Sequence, residues 1–386
     1  MRALGYLVAA TPLRLASAGS IVAIPILAVQ EVGDVALGGA LTGVALAPTV
    51  LAAPLAGVAL DRAARPQALM LVAALVTALG LAIAAFLGEV PTPLVAAMLA
   101  LTGCAAPFAL GGLSSFVADV IDDEHRAYAS DALSYNVASV AGPALVAGAV
   151  LVGSARVGML VLAAVAAAGA VGMLRMRLPA RAGARRGVRE TIAAGMSHLA
   201  RHRPIAVVTA SGTLSQVGGG AGPIVAVAIS LERSGEAEGG AVIVTAFAIG
   251  GLVGALVAAV RRWTSLTPPW VMGGGFALVG ACLLLAVPDL GLPIAIVAFG
   301  VAGSWTAAST AAMLLLRKRQ SPARVRSQVF TVGAGLRSAA AAAGASLAGL
   351  VAGLDAGVLV AIVAACWVAS GLLLLAYPRD APAFDD

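Results

Sequence analysis

"GVALDRAARPQALM", residues 57–70, sets Asp61, Arg62 and Arg65 within five positions between two apolar stretches. The chain around it is 61% hydrophobic and only 11% charged, whereas soluble domains run at about 45–50% apolar and about 25% charged. Its 386 residues carry too little polar surface to clothe a water-soluble globule, so the cluster marks a loop where the chain leaves a membrane. Aromatic residues make up 4% and there are 46 Gly beside abundant Ala. That mixture suits membrane helices that approach closely through small side chains.

The charge pattern excludes other classes. The net charge is +6, but the basic residues fall in short loops between apolar runs, so no basic face exists to read a nucleic acid and no such partner is expected. Cys104, Cys282 and Cys366 all lie in apolar stretches, without the spacing of a disulfide framework or a metal site. His198 and His202 stand four apart with no third ligand nearby, so no metal and no cofactor is expected. The sole lysine, Lys318, follows Arg317 rather than the Gly of a phosphate-binding loop, which excludes ATP drive from this chain. All three histidines are in loops, and no nucleophile-base or acid cluster suggests an enzyme.

A bilayer core takes about 20 residues of helix. Charge, Pro and Gly punctuation gives spans near 5–30, 37–60, 66–88, 92–118, 129–153 and 156–175, then 204–230, 240–260, 268–287, 291–316, 327–352 and 356–377. The opening "MRALGYLVAATPLRLASAGS" resembles a signal peptide, but Arg14 interrupts its apolar region and it reads as an uncleaved first span. With the N-terminus inside, 20 of the 24 basic residues fall in inner segments, Arg156 and Arg233 in outer loops, and Arg14 and Arg337 within spans. Both termini are therefore expected to be cytoplasmic. The predicted fold class is an all-α membrane protein of twelve helices in two six-helix bundles, residues 1–175 and 204–386, joined by a basic linker, 176–203. In the linker "RGVRETIAAGMSHLARHRP" sets Val188, Ile192, Met196 and Leu199 at helical spacing, as in a helix lying in the membrane interface.

The halves repeat weakly. Gly103 and Gly303 each sit in the fourth span of their half, Arg126 and Arg326 each follow 23 residues later, and Gly57 with Arg62 is echoed by Gly254 with Arg261 and Arg262. Transporters built from repeats bind their cargo at the repeat interface.

On this topology the opening stretch is a cytoplasmic turn between spans two and three. It is either a solvated turn or a latch, in which Asp61 meets a helix N-terminus and Arg65 pairs with Asp119. Here the chain resembles the major facilitator superfamily: Gly57, Asp61, Arg62 and Arg65 match its signature loop, while Ala64 replaces a Gly and Pro66 a basic residue. The resemblance covers the whole chain and implies alternating access in a bacterial inner membrane. "ASVAGPALVAGAV" (138–150) resembles the Gly-Pro motif of family antiporters in Gly142, Pro143 and Gly148, with Ala138 and Ala147 where Gly is usual; an ordinary kink at a helix contact is the alternative. The arginine of proton-coupled exporters early in span four is missing from "AAMLALTGCAAP" (96–107).

Charge within a span costs about 2.5–3.5 kcal/mol, so Arg14 and Arg337, each near mid-depth, are candidates to hold an anionic substrate group. The alternatives for Arg14 are snorkelling or bonding carbonyls freed near Pro12, and for Arg337 bracing of helices. Ser17, Tyr135, Asn136, Gln216 and Trp305 are further binding candidates, and "GGGAGP" (218–223) is expected to loosen span seven as a gate. Asp131 is the nearest candidate to carry a coupling proton. The reading that follows is a secondary transporter exporting a small organic compound, working as a monomer among membrane lipids. An importer, a lipid flippase or a non-transporting receptor on the same scaffold remain open.

Overall fold

The computed structural model describes residues 2–176, 201–260 and 267–378, together with 178, 179 and 197. The chain divides into two compact units, Met1–Arg185 and Arg186–Asp386. The interfacial helix and His198 expected in the linker, and Arg261 and Arg262, lie outside the described residues.

In the first unit α1 runs Arg2–Val32, α2 Val35–Leu46, α3 Pro48–Arg62, α4 Pro66–Ala84, α5 Thr92–Pro107, α6 Glu124–Val152 and α7 Ala155–Leu174. In the second, α8 runs Arg203–Ser234, α9 Gly239–Val260, α10 Pro268–Leu283, α11 Leu292–Ser304, α12 Thr306–Arg319, α13 Ala323–Leu350 and α14 Ala356–Leu372. Eleven stretches among the described residues are long and apolar enough to cross a bilayer. The remaining expected span is the 28-residue α13. Two of the eleven join two long α-helices: α2 continues into α3 through Ala47, still helical at φ −58°, ψ −43°, and α11 continues into α12 through Trp305.

Three loop acids start helices. Asp34, Asp123 and Asp355 cap α2, α6 and α14 by accepting from backbone N–H groups at 2.7–3.2 Å, which satisfies donors a helix start leaves open. Leu51, Leu55, Val72, Leu75, Leu79, Leu256 and Val297 are exposed, as lipid-facing side chains must be.

The two units are packed by one plan. In the first, α1 packs on α6 and α7, and α4 on α5 and α7; in the second, α8 packs on α13 and α14, and α10 on α12 and α14. Particular residues correspond. A Cβ on Gly103 would strike the carbonyl of Ala45, and one on Gly303 the carbonyl of Phe247, so each glycine lets the fourth span touch the backbone of the second. Gly142 lies against Gly19 and Leu15 of α1, and Gly344 against Val217 of α8, the same device between spans one and five. The Gln30 side chain accepts from Ala155 N at 2.7 Å, and the Glu232 side chain from Ala356 N at 2.8 Å. The expected correspondence of Gly57 with Gly254 does not extend to packing: Gly254 lies against Ser304, while Gly57 faces open space.

The glycine run of span seven is a correction. Residues 218–223 lie inside the unbroken 32-residue α8. Gly218 receives the Trp367 indole and Gly220 lies against Ala341. Missing side chains there give close helix contact, which holds the helix instead of loosening it.

Candidate functional site

Pro107 decides the local backbone of the fourth span. Proline lacks an N–H and disturbs the helical ladder, and here the helix passes into a π-turn, Phe108–Gly112. Such turns change the hydrogen-bond register of a helix and recur at functional sites. The Leu110 carbonyl faces Arg14, whose Nη2 donates to it at 3.4 Å.

Arg14 is 2% exposed. Its Nη2 pairs with Asp131 Oδ1 at 2.7 Å and donates to Ser114 Oγ at 2.8 Å and Tyr6 Oη at 3.3 Å. Its Nη1 donates to the Asp131 carbonyl at 3.1 Å and to Ser134 Oγ. The guanidinium lies 3.7 Å from the centroid of the Tyr135 ring, a cation–π contact. The same Asp131 Oδ1 also accepts from Tyr6 Oη at 2.5 Å and from Ser114 Oγ at 3.1 Å. The carboxylate keeps 15% of its side-chain surface exposed. The result is a neutral, hydrogen-bonded ion pair with one partner enclosed and the other reachable.

Arg14 therefore neither snorkels nor bonds carbonyls near Pro12; its charge is taken up by Asp131. The structure brings Arg14, Tyr135 and Asp131 together, and adds Tyr6, Ser114 and Ser134, which sequence reasoning missed. Tyr6 sits eight residues before Arg14 on α1, two turns along one helix face, and that spacing was the available signal. Ser17 is half-buried, with its carbonyl accepting from Ser20, and Asn136 is exposed, with its carbonyl accepting from Ser139. Pro143 lies inside α6 without ending it, and Gly148 faces open space.

In the second unit Gln216 is half-buried on α8 and Trp305 joins α11 to α12, its carbonyl accepting from Ser309 at 2.8 Å. Arg337 is half-buried on α13, its Nη1 4.0 Å from the Met313 sulfur. At the opening cluster Arg62 and Arg65 are exposed, Arg65 standing at the N-cap of α4. The Asp61 side chain lies outside the described residues. Asp119 is exposed after the π-turn, and no ion pair among the described residues joins it to Arg65.

The two basic residues of the expected outer loops are both paired. Arg156 reaches Glu31 at 2.7 Å and Glu89 at 2.5 Å. Arg233 donates to the Ala286 and Pro288 carbonyls at 2.5 and 3.2 Å and lies 3.4 Å from Asp289.

Comparison with known proteins agrees with this architecture. An uncharacterised MFS-type transporter, y4rN, of Sinorhizobium fredii is 25% identical over 97% of this chain and 94% of its own length. Among solved structures, the nucleoside transporter NupG superposes with a TM-score of 0.81 at 12% identity, covering 98% of this chain and all of that one. A POT family transporter solved with 5-aminolevulinic acid gives 0.76 at 12% identity, covering 97% and 95%. At such identities the structures share a fold, and their cargoes are their own. A family model described as Major Facilitator Superfamily matches residues 6–345, and the chain belongs to that family of membrane transporters.

Proposed function

We propose that this protein is a secondary transporter that exports a small organic compound by alternating access, with Asp131 carrying the coupling proton. The observation that carries the reading is the Arg14–Asp131 pair: Asp131 lies 2.7 Å from a guanidinium 2% exposed in the interior of α1, well away from either end of that helix. Buried ionisable groups in membrane segments mark substrate or proton paths. A proton taken up by Asp131 cancels the pair, leaves Arg14 with an unbalanced charge, and turns Tyr6 and Ser114 from donors to a carboxylate into donors to a neutral acid. Two conformations that hold this cluster differently are then biased by protonation, which is the requirement for coupling. The Gly142-Pro143 resemblance supports export. The exposed turn carrying Asp61, Arg62 and Arg65 serves as the latch of one conformation, with Asp119 as its counterpart, and Tyr135, Asn136, Gln216 and Trp305 are the polar contacts offered to cargo.

The test is reconstitution in proteoliposomes carrying an internal pH dye, screened against a panel of metabolites and antibiotics. A cargo that dissipates an imposed pH gradient in the wild type and fails to do so in Asp131→Asn supports the assignment. Proton flux surviving that substitution would overturn it. Gradient-driven uptake in the opposite sense would make the protein an importer, and movement of a fluorescent lipid reporter alone would make it a flippase.

A further inference from the structure

The second unit holds one buried and one half-buried cation that no ion pair among the described residues neutralises. Arg317, near the end of α12, is 2% exposed. Its Nε and Nη2 are fully buried and have no hydrogen-bond partner among the described residues, and the same is true of Arg337 Nε. The two flank one side chain: Met313 precedes Arg317 by one turn on α12, and its sulfur lies 4.0 Å from Arg337 Nη1. Among the described residues no ion pair joins an acid to either arginine; the described acids of this unit are Glu232, Glu236, Glu238, Asp289 and Asp355. Glu232 caps α14, Asp289 lies by Arg233, and Asp355 caps α14.

The backbone around Arg317 is shaped for its guanidinium. A Cβ on Gly333 would come within 2.9 Å of the guanidinium carbon, and one on Gly212 within 3.6 Å of Nη2. Gly333 and Arg337 are one turn apart on α13, so both cations address the same face of that helix. On α8, Thr209 and Thr213 stand on either side of Gly212, and each has a buried Oγ1 without a partner among the described residues. A buried charge left unpaired is costly. Arginine usually escapes by reaching for water near a helix end, yet Arg317, two residues from the end of its span, is enclosed instead.

The geometry points to an oxyanion-binding site in the second unit, made by Arg317 and Arg337 with the Thr209 and Thr213 hydroxyls, for a phosphate-, sulfate- or carboxylate-bearing ligand. Two guanidinium forks supply parallel N–H donors that match such groups, and the hydroxyls supply neutral donors. Arg14 of the first unit also has a buried Nε without a partner among the described residues, but its charge is balanced by Asp131 at 2.7 Å. This inference concerns binding and stands apart from the proton-coupled cycle proposed above.

The experiment is thermal unfolding of the purified full-length protein in uncharged detergent. Sodium sulfate, sodium phosphate or sodium citrate is titrated against sodium gluconate at matched ionic strength. A ligand that binds only the folded state raises the melting temperature with its concentration. The expected result is a saturable rise with at least one divalent or trivalent oxyanion, abolished in Arg317→Gln and in Arg337→Gln. Without oxyanion, Arg317→Gln is expected to melt no lower than the wild type, because it removes an uncompensated buried charge. The two curves therefore cross as anion is added, which a bracing role for Arg317 would not produce. If the Gln variants fail to fold, Arg317→Lys keeps the charge but loses the fork and should weaken the half-saturating concentration at least tenfold. The same titration in nanodiscs of phosphatidylcholine and of phosphatidylglycerol separates the sources: a rise reproduced by phosphatidylglycerol without sulfate, and lost in Arg317→Gln, makes a lipid headgroup the ligand. No rise with any oxyanion, or a rise unchanged in both Gln variants, overturns the site. These readouts need no transport, so loss of the proton-coupling reading would leave them intact.

Discussion

Replacing Asp131 by Asn tests the central cluster directly. The substitution keeps the shape and leaves an oxygen able to accept from Tyr6, but removes the charge that sits 2.7 Å from a guanidinium 2% exposed. Breaking a buried pair from one side costs about 3–5 kcal/mol, because the remaining charge stays buried without balance. Tyr135 over Arg14 at 3.7 Å offsets some of this, a cation–π contact contributing about 0.5–2 kcal/mol. A net loss of about 3 kcal/mol is therefore expected. Arg14→Met should cost less, about 1.5–3 kcal/mol, since Asp131 keeps Tyr6 and Ser114 as donors and 15% of its side-chain surface stays exposed. The double variant should lose less than the sum of the two, by about 1–3 kcal/mol of coupling. Helix loss on titration with SDS in mixed micelles, followed by far-UV circular dichroism, measures all four corners of the cycle. Tryptophan emission would not serve, because Trp263, Trp270, Trp305 and Trp367 all lie in the second unit. A cost below about 1 kcal/mol for Asp131→Asn, or strict additivity, would show that the pair is not the coupled unit its geometry describes.

Two further outcomes are expected. Gly103→Ala and Gly303→Ala each drive a methyl into a backbone carbonyl of the second span and should cost about 1–3 kcal/mol in the same unfolding assay, while Gly57→Ala, which meets nothing within 4 Å, should be neutral or gain up to about 1 kcal/mol from helix propensity; equal losses at all three would refute the packing assignment. Asp61→Asn and Arg65→Ala should leave the melting temperature unchanged and slow cargo turnover in proteoliposomes several-fold, and turnover equal to wild type in folded protein would remove the latch.

What could be read from the sequence was what composition and length control. Apolar runs of span length and the bias of Arg toward alternate loops are one-dimensional signals, and the helices fall where those runs are. The breaks inside spans were less legible, because Trp305 interrupts span ten without a proline and the π-turn after Pro107 sets the Leu110 carbonyl against Arg14, a contact between distant parts of the chain. Arg14 was legible as an anomaly but not in its role. Its partner lies 117 residues away in a segment that reads as the start of a span, and only the packing of α6 on α1 makes them neighbours. The glycine run misled for a related reason: glycine weakens an isolated helix, but the space beside Gly218 and Gly220 is filled by Trp367 and Ala341, and this close packing outweighs the weaker helix propensity.

The duplication shows which of these features the fold itself requires. Glycines at backbone contacts, Gly103 with Gly303 and Gly142 with Gly344, and the side chains that cap the sixth span of each half, Gln30 and Glu232, recur in both units. Each six-helix unit must close on itself, so both halves keep the contacts that close it. The charges inside the spans do not recur. The first unit holds an arginine balanced by Asp131, while the second holds two arginines balanced by none of its described residues. Closing a bundle needs neither arrangement, since apolar side chains fill the same volume without the cost of placing charge in a membrane. Features that are costly and differ between otherwise matching halves are best explained by what each half handles. On the readings proposed here, the first unit handles a proton at Asp131 and the second an oxyanion at Arg317 and Arg337, so disabling one should leave binding at the other measurable.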